Sequence, residues 1–304
     1  MKAVTADGLV KEYPGEKKSI VTALKGISFE VDQGELFGVI GPDGAGKTSL
    51  FRILTTLLLA EKGTATVDGL DVVNDYKAIR QRVGYMPGKF SLYQDLTIAE
   101  NLEFFATIFN TSIAENYDLI KDIYVQIEPF KDRRAGKLSG GMKQKLALCC
   151  ALIHKPSVLF LDEPTTGVDA VSRKEFWEML KKLKEQNITI LVSTPYMDEA
   201  SQCDRVALMQ SGKILSINTP QGIIDSFPDP LLAVRSNNMF TMLKELRQMP
   251  EVKDVYPFGE YHHVVLKEKL DLEEKIKDLG HKDVEVHPET ANIEDCFIAL
   301  MKEI

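Results

Sequence analysis

The spacing of apolar positions predicts alternating strands and helices over the first two thirds of the chain. Apolar runs typical of strands lie at residues 21–24, 27–31, 36–40, 158–161 and 188–192. Helices are predicted at residues 48 to about 59, after the third run, and at 172–186, between the last two runs. Strands that alternate with helices indicate an α/β fold with a mainly parallel sheet covered on both faces.

Two other parts of the chain have a different pattern. Residues 91–155 have helical spacing, and Thr97 followed by Glu100 is the start signal of a capped helix. Beyond residue 220, strand, helix, strand, strand, helix, strand and helix are predicted at residues 231–234, 239–248, 252–256, 263–266, 272–279, 284–287 and 293–302. The first six have the split βαβ, ferredoxin-like order. We expect one domain at residues 1–220, with a helical subdomain at about 89–155, and a small α+β domain at 221–304.

Composition indicates a globular protein and argues against nucleic acid as its general partner. Of 304 residues, 44% are hydrophobic and 27% are charged, which suffices for a full core. The formal net charge of −8 argues against general nucleic-acid binding, which needs a basic face. The N-terminus lacks an apolar signal core, and the longest apolar runs fall short of the ~20 residues that span a bilayer. We expect any membrane role to depend on another chain.

The cysteines and most histidines lack the spacing of metal sites. The four cysteines are Cys149, Cys150, Cys203 and Cys296. Because none forms a C-x-x-C pair, they argue against a zinc site or a disulfide framework and favour a reducing, cytosolic compartment. The histidines of the C-terminal part are His262, His263, His281 and His287. We expect them on strand surfaces rather than around a metal.

A glycine-rich loop follows the predicted strand at residues 36–40 and fits the pattern G-x-x-x-x-G-K-[ST]. It consists of Gly41, Pro42, Asp43, Gly44, Ala45, Gly46, Lys47 and Thr48, and Ser49 continues the predicted site. Glycines allow backbone N–H groups to approach phosphate oxygens, Lys47 neutralises β/γ-phosphate charge, and the Thr48 hydroxyl is a Mg²⁺ ligand. The alternative is a structural turn, but the strand before the loop and the helix after it favour phosphate binding.

Two carboxylates end the predicted strand at residues 158–161. Asp162 would lie beside the metal and hold Mg²⁺ directly or through water. Glu163 would then orient or deprotonate the attacking water. Acidic residues at strand ends are common, so it is the combination with the upstream phosphate-binding loop that makes this motif specific.

Residues 138–142, with the sequence Leu-Ser-Gly-Gly-Met, open a predicted helix at 143–154. Taken alone, Ser139 with Gly140 and Gly141 could simply be a serine-capped helix start. However, the order of phosphate loop, Leu-Ser-Gly-Gly and strand–Asp-Glu-Pro-Thr-Thr-Gly-Val-Asp resembles the ATP-binding subunit of ABC transporters over residues 1–220. The resemblance implies ATP and Mg²⁺ as cofactors and head-to-tail pairing of two such domains.

In such a pair, each ATP lies between one phosphate loop and the partner's signature residues. The resemblance therefore implies that Ser139, Gly140 and Gly141 contact a nucleotide held by the partner. Asp169 would be the D-loop carboxylate at the dimer seam. Tyr13 is similar to the aromatic residue that stacks on adenine; an ordinary core or surface tyrosine is the alternative.

Two positions depart from the family pattern. Gly88 stands where the Q-loop glutamine is expected, and Pro195 replaces the switch histidine. Glycine has no amide side chain, and proline can neither donate to the γ-phosphate nor carry a proton. We therefore expect firm ATP binding with slow hydrolysis at this chain's own site. A non-hydrolysing regulatory ABC module is the alternative.

A narrower resemblance is to the first half of tandem bacterial export ATPases that serve ABC-2-type permeases. It rests on the phosphate-loop sequence, on residues 142–145 and 293–298, and on the switch segment without histidine. It implies a separate ABC-2-type permease and a second ATP-binding subunit, a heterodimer rather than a homodimer, at the inner face of the plasma membrane. A soluble ABC protein acting on ribosomes or DNA is the rival, which the acidic charge and the absence of a second ATP-binding domain or long insertions disfavour.

By the same resemblance, residues 90–105 would receive the coupling helix of the permease. The aromatic residues there are Phe90, Tyr93, Phe104 and Phe105. Packing inside the helical subdomain is the alternative for these side chains.

Overall fold

The computed structural model describes residues 1–15, 19–88, 92–268 and 270–302. The chain divides into two compact units, Met1–Pro220 and Gln221–Ile304. Both units combine strands and helices, as the apolar spacing predicts.

An antiparallel sheet begins the first unit. Its strands are β1 (Lys2–Pro14), β2 (Ile20–Asp32), β4 (Lys62–Val67) and β5 (Leu70–Asp71), in the order β2-β1-β4-β5. The two predicted runs at 21–24 and 27–31 are one strand. Gly26, with φ of 85°, is left out of the pairing between Leu9↔Ile27 and Val10↔Lys25. It forms a β-bulge rather than a turn.

The second sheet of this unit is mainly parallel. Its strands are β3 (Leu36–Ile40), β6 (Val83–Met86), β7 (Val158–Asp162), β8 (Thr189–Thr194), β9 (Arg205–Gln210) and β10 (Lys213–Asn218). The order is β10-β9-β3-β8-β7-β6, and only the β9–β10 pair is antiparallel. The predicted parallel sheet is thus confirmed. Since β3, β8 and β7 are neighbours, residues 41, 195 and 163 follow the sheet at the same edge.

The helices of the first unit are α1 (Lys47–Leu54), α2 (Tyr76–Arg82), α3 (Ile98–Ile108), α4 (Tyr117–Tyr124), α5 (Gly140–Leu152) and α6 (Ala170–Glu185). Thr97 and Glu100 form the predicted capping box at α3. The helix predicted to reach residue 59 ends at Leu54, before Thr56 with φ of 63°. None of the helices in the described ranges is long and apolar enough to cross a membrane.

The core of the first unit joins its two sheets. Phe29 of β2 stacks on Phe37 of β3 at 5.6 Å, and Phe51 of α1 meets Phe160 of β7 edge-on at 5.7 Å. All four side chains are buried. Aromatic pairs of this kind add about 0.5–1.5 kcal/mol each to the area they bury. The second pair holds the helix after the glycine-rich loop against the strand that carries Asp162.

The second unit has the predicted ferredoxin-like order. Its elements are α7 (Pro220–Asp225), β11 (Leu231–Arg235), α8 (Met239–Leu246), β12 (Val252–Phe258), β13 (Tyr261–Leu266), α9 (Glu273–Asp278), β14 (Glu285–Pro288) and α10 (Ile293–Met301). The strands pair antiparallel in the order β12-β13-β11-β14. Side chains of α8 and α9 form a core with one face of the sheet, and α10 bonds to the other.

The prediction that the C-terminal histidines lie on strand surfaces is wrong for three of them. His262 and His263 are buried because β13 is an inner strand with both faces covered. The His262 ring bonds to the Met239 carbonyl of α8, and the His263 ring to Asp295 of α10. His281 pairs with Glu245 at 2.6 Å, and its side chain is 5% exposed. His287 is exposed as predicted.

Candidate functional site

The glycine-rich loop at residues 41–48, here called the P-loop, is fixed by close backbone packing. A Cβ atom on Gly41 would lie 2.0 Å from the carbonyl oxygen of Met209. Gly46 has φ of 107°, a left-handed conformation that favours glycine. The Gly41 amide donates to the Thr194 carbonyl at 3.2 Å. These contacts hold the loop between β3 and α1 against β8 and β9.

The P-loop borders a cavity of about 450 Å³. The lining residues are Ala23, Asp43, Gly44, Ala45, Gly46, Lys47, Thr48, Ser49 and Glu163. All but Ala23 belong to the site predicted from the sequence. Among the described residues, no side chain caps the N-terminus of α1. The first amides of this helix therefore remain available to an anion in the cavity.

Lys47 is buried at the base of this cavity. Its ammonium group donates to the carbonyl oxygens of Gly41 at 2.8 Å and Pro42 at 3.1 Å. It also lies 3.1 Å from the Glu163 carboxylate. These contacts place Gly41 and Pro42 behind the cavity and fix a positive charge inside it, where phosphate oxygens would bind.

Asp162 and Thr48 meet at the same place. The Thr48 hydroxyl donates to Asp162 Oδ1 at 3.3 Å, and the Ser193 hydroxyl donates to the same atom at 2.5 Å. A carboxylate beside hydroxyl groups offers hard oxygen ligands, so these residues fit Mg²⁺. The sequence motifs do not single out Ser193 or Thr194. Their position at the end of a strand beside β7 is a signal that could have identified them.

Glu163 turns toward the P-loop because its backbone is left-handed, with φ of 51°. Its amide donates to the carbonyl oxygen and the hydroxyl of Ser193, at 3.0 and 3.1 Å. A non-glycine residue in this conformation costs about 1–2 kcal/mol. The local bonds offset that cost and hold the carboxylate at the cavity beside Lys47.

The two positions that depart from the family pattern border this site. A Cβ atom on Gly88 would lie 3.1 Å from the Asp162 carbonyl oxygen and 3.9 Å from Glu163 Cβ. Pro195 follows the last residue of β8, Thr194, whose carbonyl receives the Gly41 amide. Lys89, Phe90 and Ser91 lie outside the described residues.

Tyr13 lies beside the P-loop helix rather than in the core. Its hydroxyl is 3.0 Å from the Ser49 hydroxyl, and its ring is half-buried. The Lys11 ammonium lies 5.4 Å from the ring centre. Adenine stacking by Tyr13 stays a prediction.

The signature residues Ser139, Gly140 and Gly141 form a second group. The Ser139 hydroxyl caps α5 by accepting from the Met142 amide at 3.3 Å. Asp169 caps α6, and the Ser172 amide is the main cause of the lowered pKa of its carboxyl. Among the described residues that line the P-loop cavity, none belongs to this group.

Close contacts join the signature residues at the start of α5 to the segment around Asp169. A Cβ on Gly140 would lie 3.6 Å from the Gly167 carbonyl oxygen, and one on Gly141 would lie 2.9 Å from the Ser172 hydroxyl. Ser139, Gly140 and Asp169 are all exposed. The structure thus presents them together on the surface.

The helical part of the first unit has an apolar groove of about 410 Å³ between α3, α5 and β6, here called the helical groove. Phe105 lines it, whereas Phe104 packs between Tyr93 and Phe105. The hydroxyl of Tyr85 and Nδ1 of His154 also lie in residues that line it, and neither has a hydrogen-bond partner among the described residues. Burial raises the pKa of Tyr85 to about 12.

Known proteins are similar in sequence to this chain. A family model for the ABC transporter matches residues 24–166. The chain is 37% identical over 98% of its length to the Escherichia coli protein named "Probable multidrug ABC transporter ATP-binding protein YbhF", and it spans about half, 52%, of that relative. It is 34% identical to the Nod factor export ATP-binding protein I of Burkholderia lata, over 91% of each chain.

Solved structures share the fold. The ATP-binding subunit of an ABC transporter has a TM-score of 0.65 at 25% identity, covering 74% of this chain and 93% of its own. A dimeric ATP-binding cassette bound to ADP and Pi has a TM-score of 0.64 at 24% identity, covering 71% and 98%. With these relatives and the P-loop site together, the chain belongs to the family of ABC transporter ATP-binding proteins.

Proposed function

We propose that the chain binds ATP with Mg²⁺ and hydrolyses it to drive an ABC exporter. The observation that carries this proposal is the meeting of Lys47, Thr48, Asp162 and Glu163 at one cavity. The buried ammonium and the amides of α1 bind the phosphates. Thr48 and Asp162 would hold Mg²⁺, which would supply positive charge against the phosphates. Glu163 orients the attacking water.

Calorimetry with ATP and Mg²⁺ tests the binding site. Lys47→Ala should weaken ATP binding by at least about tenfold, because charge-assisted hydrogen bonds to phosphate are lost. Lys62→Ala changes an exposed lysine of β4 that does not line the cavity, and should leave the affinity unchanged. Glu163→Gln should bind ATP and lose hydrolysis. Equal affinity in the Lys47 and Lys62 variants would contradict the site assignment.

We further propose that the signature residues and Asp169 complete the nucleotide site of a second ATP-binding subunit, in a heterodimer. Their separation from the chain's own cavity and their exposure support this. Ser139→Arg should therefore leave ATP binding by this chain unchanged but abolish ATP-dependent pairing with the second subunit. Light scattering measures the pairing, in a chain that also carries Glu163→Gln. Unchanged pairing in the Ser139 variant would contradict the proposed seam.

Gly88 and Pro195 support the inference that this chain's own site hydrolyses ATP slowly. No amide side chain is present at position 88 and no imidazole at position 195, so the transition state receives fewer oriented donors. A non-hydrolysing regulatory module is the second candidate, favoured by the same two residues. Single-turnover hydrolysis separates them: a slow rate that Glu163→Gln abolishes supports the ATPase, and no rate above that variant supports the regulatory module.

We propose an ABC-2-type permease as the membrane partner, which would keep the chain at the inner face of the plasma membrane. The helical groove supports this, because its apolar walls suit the apolar face of a helix. Ile108→Glu, in the groove, should abolish co-purification with the permease from solubilised membranes. Val125→Glu, exposed outside the groove, is the matched control. Equal recovery with both variants would exclude the groove.

A further inference from the structure

The segment from Glu163 to Asp169 joins the two groups of site residues. It begins with Glu163 at the P-loop cavity and ends with Asp169, the cap of α6. It follows the end of β7 and precedes the start of α6, so it belongs to neither a strand nor a helix. Its buried backbone groups therefore depend on hydrogen bonds from turns and from neighbouring side chains.

A side chain of α5 holds the second residue of this segment. The Gln144 side-chain amide donates to the carbonyl oxygen of Pro164. Gln144 is 2% exposed and Pro164 is buried, so water does not compete for this bond. Loss of the donor would leave the buried carbonyl oxygen without this partner, which is unfavourable. The bond therefore fixes the residue directly after Glu163.

Glu163 needs an anchor on each side because its backbone is strained. Its φ of 51° is left-handed, and the proline after it restricts its backbone further. On one side, Ser193 accepts from the Glu163 amide. On the other side, Pro164 has no N–H to donate, so its carbonyl is the backbone group through which another element can hold it. Gln144 supplies that contact from α5.

The packing of α5 against its neighbours does not require the Gln144 amide. A Cβ on Gly140 would lie 3.6 Å from the Gly167 carbonyl oxygen, and one on Gly141 would lie 2.9 Å from the Ser172 hydroxyl. These glycines allow the close approach of α5 to the end of the segment and the start of α6. A methionine would fill nearly the same space as Gln144 but offers no donor. The amide therefore adds a directed bond rather than volume.

We propose that Gln144 is a positioning residue for hydrolysis at this chain's own site. By holding Pro164, it keeps the Glu163 carboxylate directed at the attacking water. Gln144 is not among the described residues that line the P-loop cavity, so its effect on the reaction passes through Glu163. The inference rests on the proposed ATPase function, in which Glu163 orients that water.

Gln144→Met tests this role, because it keeps the length of the side chain and removes the donor. We expect the single-turnover rate of ATP hydrolysis to fall at least about tenfold, since a misplacement of about 1 Å can cost about a hundredfold. The affinity for ATP with Mg²⁺, measured by calorimetry, should change less than about twofold, because the P-loop contacts remain. Gln126→Met removes an exposed amide bonded to the Asp122 carbonyl at 2.9 Å, and this matched control should change neither quantity.

Gln144→Asn is a second variant that keeps an amide at this position. Its side chain is one methylene too short to hold Pro164, so we expect the same loss of rate. It decides the question if circular dichroism shows that Gln144→Met unfolds. A folded variant with the unsubstituted rate would overturn the proposal. So would unfolding of both variants, or a loss of ATP affinity as large as the loss of rate, because Gln144 would then support the whole domain or site.

The same assays separate this inference from the proposed function. An unsubstituted chain with no rate above that of Glu163→Gln would refute the ATPase function, and the positioning role with it. A measurable rate that depends on Glu163 but not on Gln144 would refute the positioning role alone.

Discussion

Replacing Pro195 by histidine tests whether the end of β8 limits hydrolysis at this chain's own site. Position 195 follows Thr194, whose carbonyl oxygen receives the Gly41 amide of the P-loop at 3.2 Å. The next amide, of Tyr196, donates to the Thr194 hydroxyl at 3.1 Å, which holds the backbone after the substitution. A histidine there would offer a ring N–H toward the γ-phosphate, which proline cannot do.

The expected increase in the hydrolysis rate follows from the effect of one oriented hydrogen-bond donor on kcat. Removing a single donor to developing negative charge costs about 10²–10³ in kcat. Since Pro195 is half-exposed, solvent weakens the contact, and we expect a gain at or below the lower limit of that range, about tenfold to a hundredfold. Gly88→Gln should give a smaller gain in the rate of hydrolysis. Its Cβ would lie 3.1 Å from the Asp162 carbonyl, so the backbone must shift by a few tenths of an ångström.

Single-turnover hydrolysis of radiolabelled ATP measures the effect, with ATP affinity measured by calorimetry beside it. Pro195→His should raise the rate and leave the affinity nearly unchanged. In the Glu163→Gln background the same substitution should give no gain, because the residue that orients water is lost. A Pro195→His variant with an intact P-loop and no rate increase would refute the reasoning. Brisk hydrolysis by the unsubstituted chain alone would refute its premise.

Three further predictions concern the P-loop, the switch segment and the thiols. Gly41→Ala should abolish ATP binding in calorimetry, because its Cβ would lie 2.0 Å from the Met209 carbonyl; Gly44→Ala, with open space around it, should retain part of the affinity. Glu199→Ala should lower the free energy of unfolding in urea by about 3 kcal/mol, because two buried hydroxyls lose their acceptor and Arg173 keeps only its exposed partner, Asp198; Asp198→Asn should change it by less than about 1 kcal/mol. Iodoacetamide at pH 8 should label Cys149 and Cys203 only after unfolding, since burial raises the pKa of both thiols; labelling of the folded protein would contradict their burial.

The elements that the sequence predicts well are those in which local pattern and tertiary environment agree. The strand at 36–40 and residues 158–161, which precede Asp162 in its strand, carry no polar side chain, and the parallel sheet buries them on both faces. Thr97 and Glu100 encode their capping box within four residues. The P-loop is recognisable from the sequence because close backbone contacts, such as that of Gly41 with Met209, require glycine at fixed positions.

The remaining features depend on partners distant in sequence. His262 and His263 occupy alternate faces of β13, and both faces are covered only once α8 and α10 are in place. The alternation of apolar and polar residues along a strand cannot show that helices cover both faces of its sheet. The burial of α5 depends on distant partners as well: from Leu146 to Ile153 every residue is buried, because the helix packs into the unit on several sides. The contact of Ser193 with Asp162 depends on β8 lying beside β7, which no local pattern shows.

The buried carboxylate of Glu199 shows how the two groups of site residues are connected. It accepts from the hydroxyls of Thr194 and Thr165, at 2.5 and 3.1 Å, and pairs with Arg173 at 3.2 Å. Thr194 contacts the P-loop through Gly41, whereas Arg173 lies in α6, the helix that Asp169 caps. A shift of β8 caused by nucleotide at the P-loop would therefore move α6 and Asp169, because buried groups held by hydrogen bonds and an ion pair cannot adjust independently.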